Sequence, residues 1–222
     1  MKYKAVIFDL DGTILDTIED LASALNFSLR NNGFSEKSTD ETRRMVGNGI
    51  RKLILRALPS DVSQELFEKI HKDFMTYYNE HCTDMTRRYD GVFEAVAQLK
   101  KDGYVVAVLS NKADFAVNKL CEYYYPGVFA VCSGEIAGVA RKPSTEPVDL
   151  ITSKLNLKPE ECIYVGDSDI DVKTAKNSGM KCVSVDWGFR SRIDLIESGA
   201  EVIVDSPNEM ISKICNINCS EL

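Results

Sequence analysis

The sequence predicts an α/β protein: a parallel sheet with helices on both faces, interrupted once by an all-helical insertion. Three observations carry this. Short apolar, β-rich runs recur along the chain, amphipathic segments of helical length separate most of them, and one stretch from about residue 15 to residue 85 breaks the alternation. The strand runs are Tyr3–Leu10, Tyr104–Leu109, Val128–Cys132, Cys162–Val165, Cys182–Val185 and Val202–Val204, mostly apolar as strands covered on both faces must be. Between them Val92, Ala95, Val96 and Leu99, then Ala113, Ala116, Val117 and Leu120, fall at i, i+3, i+4, i+7 and form one stripe of a helix. The interrupting stretch shows only helical periodicity, in Ile18, Leu21, Ala22, Leu25, Leu29 and in Leu66, Ile70, Phe74, Tyr78. The α/β rhythm resumes near Tyr89-Asp90-Gly91. The core is therefore expected to comprise residues 1–14 and 86–222, with a helical unit at 15–85.

With 222 residues, 44% of them hydrophobic and 27% charged, the chain can bury a substantial core, and disorder is excluded. A net charge of −7 without a basic run argues against a nucleic-acid partner and is compatible with a monomer or a homodimer. No stretch approaches the roughly 18 apolar residues of a membrane span, and Ala5–Phe8 is cut short by Asp9, too soon for a signal peptide; a cytoplasmic protein is expected. Seven cysteines, odd in number and never spaced C-x-x-C, read as reduced thiols.

Ligands of open parallel sheets bind at the carboxyl ends of the strands. Three such ends carry chemistry here: Asp9-Leu10-Asp11-Gly12-Thr13, Ser110-Asn111-Lys112, and Gly166-Asp167-Ser168-Asp169-Ile170-Asp171. If they converge, Asp9, Asp11 and Asp167 crowd one small volume. Two unit charges about 4 Å apart repel by roughly 4 kcal/mol at an effective dielectric near 20, so the cluster calls for a cation, and hard oxygen ligands suit Mg²⁺. The spacing of Asp167, Asp169 and Asp171 also imitates a calcium loop, but Val172 and Ser178 stand where that loop needs Gly and Glu. Lys142 precedes Pro143, which suits the first turn of a following helix, and from there Lys142 can project towards the carboxylates.

Taken together, D-x-D-G-T at Asp9–Thr13, Ser110-Asn111, Lys142 and G-D-S-x-x-D at Gly166–Asp171 resemble the four motifs of the haloacid dehalogenase-like superfamily, in order and over nearly the whole chain. Within it the sequence is similar to the phosphoglycolate phosphatase-like hydrolases with a small helical cap. The resemblance implies a Rossmann-like core with residues 15–85 as the cap. It also implies Mg²⁺-dependent hydrolysis of a small phosphorylated metabolite, 2-phosphoglycolate or one like it. Asp9 would be the nucleophile that takes the phosphoryl group, and Asp11 the acid and then the base. Mg²⁺ would be held by Asp9, the main-chain carbonyl of Asp11 and Asp167. Gly12, Thr13, Ser110, Asn111 and Lys142 would surround the phosphate, and Asp171 would orient Lys142 or metal-bound water.

The presence of Asp11 separates this pattern from the dehalogenases, which lack an Asp two positions after the nucleophile. Within the expected cap, Val46-Gly47-Asn48-Gly49-Ile50-Arg51 resembles the cap loop of phosphoglycolate phosphatases, with Arg51 and Arg56 as candidates for a substrate carboxylate. His71 and His81 read as surface or packing residues, and Trp187 as structural. Pyrophosphatase, sugar-phosphate phosphatase or mutase, and phosphonate hydrolase activities belong to the same superfamily and stay open. So does an inactive phosphate-binding protein.

Overall fold

The computed structural model describes residues 1–219. Its central sheet is wholly parallel and contains β1 (Ala5–Phe8), β4 (Val105–Ala113), β5 (Val131–Glu135), β6 (Cys162–Gly166), β7 (Lys181–Val185) and β8 (Ile203–Val204), in the order β5-β4-β1-β6-β7-β8. All six expected strands are present. The third lies three residues further along than the apolar run Val128–Cys132 suggests. Val128 is held in a turn by Tyr125, and the polar residues Ser133 and Glu135 pair instead with the far end of β4.

Alternation within the strands distributes side chains to two apolar layers. Ala5, Ile7, Ala107, Leu109 and Tyr164 face α7 (Glu146–Lys154) and α8 (Asp169–Asn177), while Val6, Phe8, Val106, Val108, Ile163 and Val165 face α5 (Val92–Lys101), α6 (Asp114–Tyr124) and α10 (Pro207–Cys219). A short α9 (Arg192–Glu197) lies between β7 and β8.

The stretch between the first strand and the rest of the sheet holds four helices: α1 (Ile18–Asn31), α2 (Thr39–Met45), α3 (Ile50–Ala57) and α4 (Gln64–His81). Its interior joins Leu21, Leu25 and Leu29 of α1 to Leu53 and Ile54 of α3 and to Phe67, Ile70, Phe74 and Tyr78 of α4. Both chain crossings between sheet and insertion run through a two-stranded antiparallel pair, β2 (Leu15–Asp16) with β3 (Arg87–Arg88), which is too short to leave a periodic signal in the sequence. Asp20 fastens the second crossing by accepting hydrogen bonds from the amides of Met85 (2.9 Å) and Thr86 (2.8 Å).

The sheet fixes where the site lies. β1 sits between β4 and β6, and the strand order reverses there, which opens a crevice beyond the carboxyl ends. Phe8 is level with both Val108 and Val165, so the residues after them leave the sheet side by side. Pro143 does not begin the following helix: α7 starts at Glu146 with Pro147 in its first turn, and Pro143 belongs to the loop before it, joined to Lys142 by a cis peptide.

Candidate active site

Asp9, at the end of β1, is held by its amide donating to Val165 O (2.8 Å). Asp167 follows β6, accepting from the Phe189 amide (2.7 Å) and from the Thr13 hydroxyl (3.3 Å). The backbone crowds it closely: a Cβ on Gly12, whose φ is +83°, would lie 2.3 Å from Asp167 Oδ2, and one on Gly188 would lie 2.3 Å from Asp167 Cβ. Asp171, in the first turn of α8, curls back under Gly166 and is completely buried.

These three carboxylates, not Asp9, Asp11 and Asp167, form the cluster, with an oxygen of each within 4.8 Å of the others. The Asp11 carboxylate turns away instead. Lys112, whose side chain is 1% exposed, takes it at 2.8 Å, and the Thr17 hydroxyl donates to the same oxygen at 2.6 Å. Asp11 nevertheless lines the same cavity as Asp9 and Asp167.

Among the described residues Lys142 is the one cation inside the cluster. Its ammonium donates to Asp171 Oδ1 (2.8 Å) and to the Tyr164 hydroxyl (2.8 Å), and lies 3.0 Å from Asp9 Oδ1. That last contact is an ion pair off the hydrogen-bonding direction, and Asp9 Oδ1 is a buried oxygen without a hydrogen-bond donor. Burial alone would depress the Lys142 ammonium, but Asp171 and Asp9 hold it well above its ordinary range. Burial pushes the Asp9 carboxyl up to about 6 against the pull of Lys142. Asp167 is driven well above the usual carboxylate range by burial, with the charges of Asp171 and Asp9 adding to it. When all three carboxylates are ionised, the one ammonium leaves two uncompensated negative charges, which add to the burial that drives Asp9 and Asp167 upward. A divalent cation is the simplest neutraliser of such a set, and the orphaned Asp9 oxygen is a ready ligand. Asp171 is a poor ligand despite its position, because Oδ1 is taken by Lys142 and Oδ2 by the amide (3.1 Å) and hydroxyl (2.6 Å) of Ser168.

β4 supplies the second wall. Its pairing with β5 shifts register between Leu109 and Ala113, and the irregularity leaves Ser110, Asn111 and Lys112 buried at the strand end. The Asn111 amide is spent on structure: it donates to Lys142 O (3.1 Å) and Gly47 O (3.2 Å) and accepts from the Lys142 amide (2.9 Å). Its side chain thus pins the Lys142 loop, and only its main chain remains for a ligand. Ser110 lines the cavity; Gly12 and Thr13 stand behind Asp167 and shape it from the back.

On the insertion side the wall is apolar: Leu21, Val46, Gly47, Gly49, Ile50 and Leu53. Neither arginine singled out from the sequence reaches the cavity. Arg51 forms a bidentate pair with Glu68 of α4 and lies over the Phe67 ring, while Arg56 closes the loop before α3 through Met45 O and Asn48 Oδ1. His71 stacks on Phe67, His81 pairs with Asp84, and the Trp187 indole donates to Thr13 O (3.1 Å). The seven cysteines are free thiols.

Two charged cavity residues lie outside the motifs. Lys112 adjoins Ser110-Asn111, and Arg190 follows the loop that seats Asp167. Sequence alone does not disclose that either side chain points inward.

A haloacid dehalogenase-like hydrolase family profile matches residues 6–185, four-fifths of the chain, which includes Asp9, Asp11, Ser110, Lys142, Asp167 and Asp171. The chain belongs to that family. It is 30% identical over 99% of its length, and 98% of the relative's, to an N-acetylmuramic acid 6-phosphate phosphatase of Pseudomonas aeruginosa. It is 32% identical to a phosphoglycolate phosphatase of Mesorhizobium japonicum over 86% of each chain. Among solved structures, a protein of Lactobacillus delbrueckii subsp. bulgaricus provisionally assigned as a phosphoglycolate phosphatase superposes with a TM-score of 0.91. That likeness has 35% identity and covers 96% of this chain and 99% of the other. As a member of the family the chain is an enzyme, a hydrolase on a parallel α/β sheet. No helix among the described residues is long and apolar enough to cross a membrane.

Proposed function

We propose that the protein is a Mg²⁺-dependent phosphomonoesterase whose substrate is 2-phosphoglycolate or a phosphate of similar size, acting in the cytoplasm with residues 15–85 as a cap over the site. The observation that carries the reading is the buried set of Asp9, Asp167 and Asp171, beyond the carboxyl ends of the neighbouring strands β1 and β6, with Lys142 reaching them from the loop before α7.

Asp9 and Asp167, with the main-chain carbonyl of Asp11, would hold Mg²⁺; when bound, the ion lowers the repulsion between an anionic nucleophile and an anionic phosphate. Asp9 attacks phosphorus, forming an O–P bond as the bond to the leaving oxygen breaks, and Asp11 supplies the proton that the leaving oxygen needs. Asp11 then takes a proton from water as the water attacks phosphorus, which frees the Asp9 carboxylate and releases phosphate. Ser110, the Asn111 main chain and Lys142 steady the phosphoryl oxygens, with Lys142 fixed by Asp171 and Tyr164. Lys112 and the Thr17 hydroxyl fix the Asp11 carboxylate at the cavity wall, outside the cluster that would hold the metal.

Geometry also favours this reading over its neighbours in the superfamily. Mutase relatives carry an acidic residue where Gly166 stands, but a Cβ there would lie 2.3 Å from Asp171 Cγ. Imine chemistry on a phosphonate needs a cap lysine in the site. Lys52 is exposed on α3, and the insertion's contribution to the cavity wall is apolar.

Phosphate release from 2-phosphoglycolate, N-acetylmuramic acid 6-phosphate, pyrophosphate, glucose 1-phosphate and ethyl phosphate, with and without Mg²⁺, tests the proposal. The expected result is Mg²⁺-dependent turnover with kcat/KM for 2-phosphoglycolate higher by about tenfold or more, roughly 1.4 kcal/mol of transition-state discrimination. Absence of Mg²⁺-dependent release from all five would overturn it, and a flat profile would remove the substrate while leaving the chemistry.

Stability offers a second check, with a sign set by Asp9. Its carboxyl is raised from 3.8 to about 6 in the folded state, so the folded protein holds a proton that the unfolded chain has already lost. Stability from this group therefore falls as pH rises from about 4 through about 6, and at pH 7.5 the cost is fully present. Saturating Mg²⁺ is expected to raise Tm over EDTA-treated protein at pH 7.5, and to raise it distinctly less at pH 5, where the ion must displace a proton. Equal Tm gains at both pH values, measured by differential scanning calorimetry, would count against Asp9 as a ligand.

A further inference from the structure

A 2-phosphoglycolate molecule carries two anions, and the machinery above accounts for only one. Of the cations that reach the site, Lys142 is committed to Asp171 and Asp9, and Lys112 to Asp11. The insertion residues that line the cavity are uncharged. Arg190 differs from both lysines: it lines the cavity, yet among the described residues no carboxylate lies within ion-pairing distance of it. Its contacts are the carbonyls of Arg43 (3.0 Å) and Val46 (2.6 Å). Two of its five N–H donors are spent on these neutral acceptors, which leaves a full positive charge and three donors at the cavity wall. The guanidinium runs alongside the glycine loop, where a Cβ on Gly47 would sit 3.4 Å from Nη2. It follows directly on the Phe189 amide that seats Asp167, and its charge draws the Asp167 carboxyl down against the burial that raises it.

Resting on the phosphatase reading above, we infer that Arg190 is the specificity-determining residue, which pairs with a carboxylate on the substrate a short carbon chain away from the phosphate. A guanidinium meets a carboxylate in a planar, charge-assisted pair, and an apolar wall excludes the water that would weaken it. The substrate class is then a phosphorylated short-chain hydroxy acid. The two carbonyl contacts orient the side chain and tie the loop of the insertion to the core at the same time.

Ethyl phosphate is 2-phosphoglycolate with a methyl group in place of the carboxylate, so the pair isolates the second anion. Wild-type protein is expected to favour 2-phosphoglycolate in kcat/KM, and Arg190→Gln to cut that preference by about tenfold or more, mainly through KM; Arg190→Lys restores part of it by returning the charge. Calorimetric titration of both ligands in Mg²⁺ reports the same preference without turnover. If Arg190→Gln lowers both substrates equally, or leaves the binding ratio intact, Arg190 only ties the loop down and the assignment falls while the phosphatase reading stands. If neither ligand is hydrolysed but the binding ratio still collapses in Arg190→Gln, the phosphatase reading falls and the carboxylate assignment survives.

Discussion

Asp9→Asn is expected to lower kcat by at least about 10⁴-fold, as removal of a covalent nucleophile does elsewhere, and to raise the Tm of the metal-free protein. The two effects share a cause. An amide of the same shape cannot form the phosphoryl ester, and it also removes one of three buried negative charges. The rise of the Asp9 carboxyl to about 6 means that at neutral pH its ionised form is dearer in the folded protein than in the unfolded chain. The amide escapes that cost, of order 1–3 kcal/mol. For a chain of this size each kcal/mol moves Tm by roughly 2–4 °C, so a gain of several degrees is expected in EDTA. Steady-state turnover and paired calorimetric scans measure both. Retained turnover would remove Asp9 as nucleophile, and a lowered metal-free Tm would mean that the cluster's repulsion is smaller than its burial indicates.

What the sequence makes legible here is whatever depends on local pattern. The strands and the helical stretch follow from hydrophobic period, and Asp9 and Asp167 follow from the rule that strand ends of a parallel sheet converge. The exchange of Asp11 for Asp171 in the cluster depends on facts beyond that pattern. Asp171 arrives because the first turn of α8 folds back beneath Gly166, a position where any side chain would collide with it. Asp11 leaves because Lys112, four residues past Val108 on a neighbouring strand, is buried within 2.8 Å of it. Arg51 has the charge a substrate carboxylate wants and sits beside the right loop, but its helix turns it towards Glu68 of α4, seventeen residues on. Arg190, which does face the cavity, lies in a loop with no periodicity and is aimed by backbone carbonyls of a distant segment. Side-chain direction at a helix or loop is set by partners remote in sequence, and a single sequence does not list them.

Lys142→Met is expected to be the most destabilising single change in the site, because the methionine keeps the volume and removes the only cation, among the described residues, in contact with Asp9 and Asp171. Breaking a buried ion pair on one side typically costs about 3–5 kcal/mol. Here the Tyr164 hydroxyl also loses its partner while still donating to Leu109 O at 3.0 Å. The remaining three carboxylates can relieve their repulsion only by taking up protons, so the loss should be severe at pH 7.5 and smaller at pH 5, where the folded state gains a proton that the unfolded chain does not hold. Adding Asp171→Asn should recover much of the stability, since the amide oxygen can still accept from Ser168 and the buried charge falls by one. The double change should recover none of the activity, because the ammonium assigned to the transferring phosphoryl oxygens is still missing. Urea unfolding and turnover of the single and double variants at both pH values test this. A double variant as unstable as the single one would mean that Lys142 stabilises the site through packing and not through charge, and recovered turnover would remove Lys142 from the chemistry.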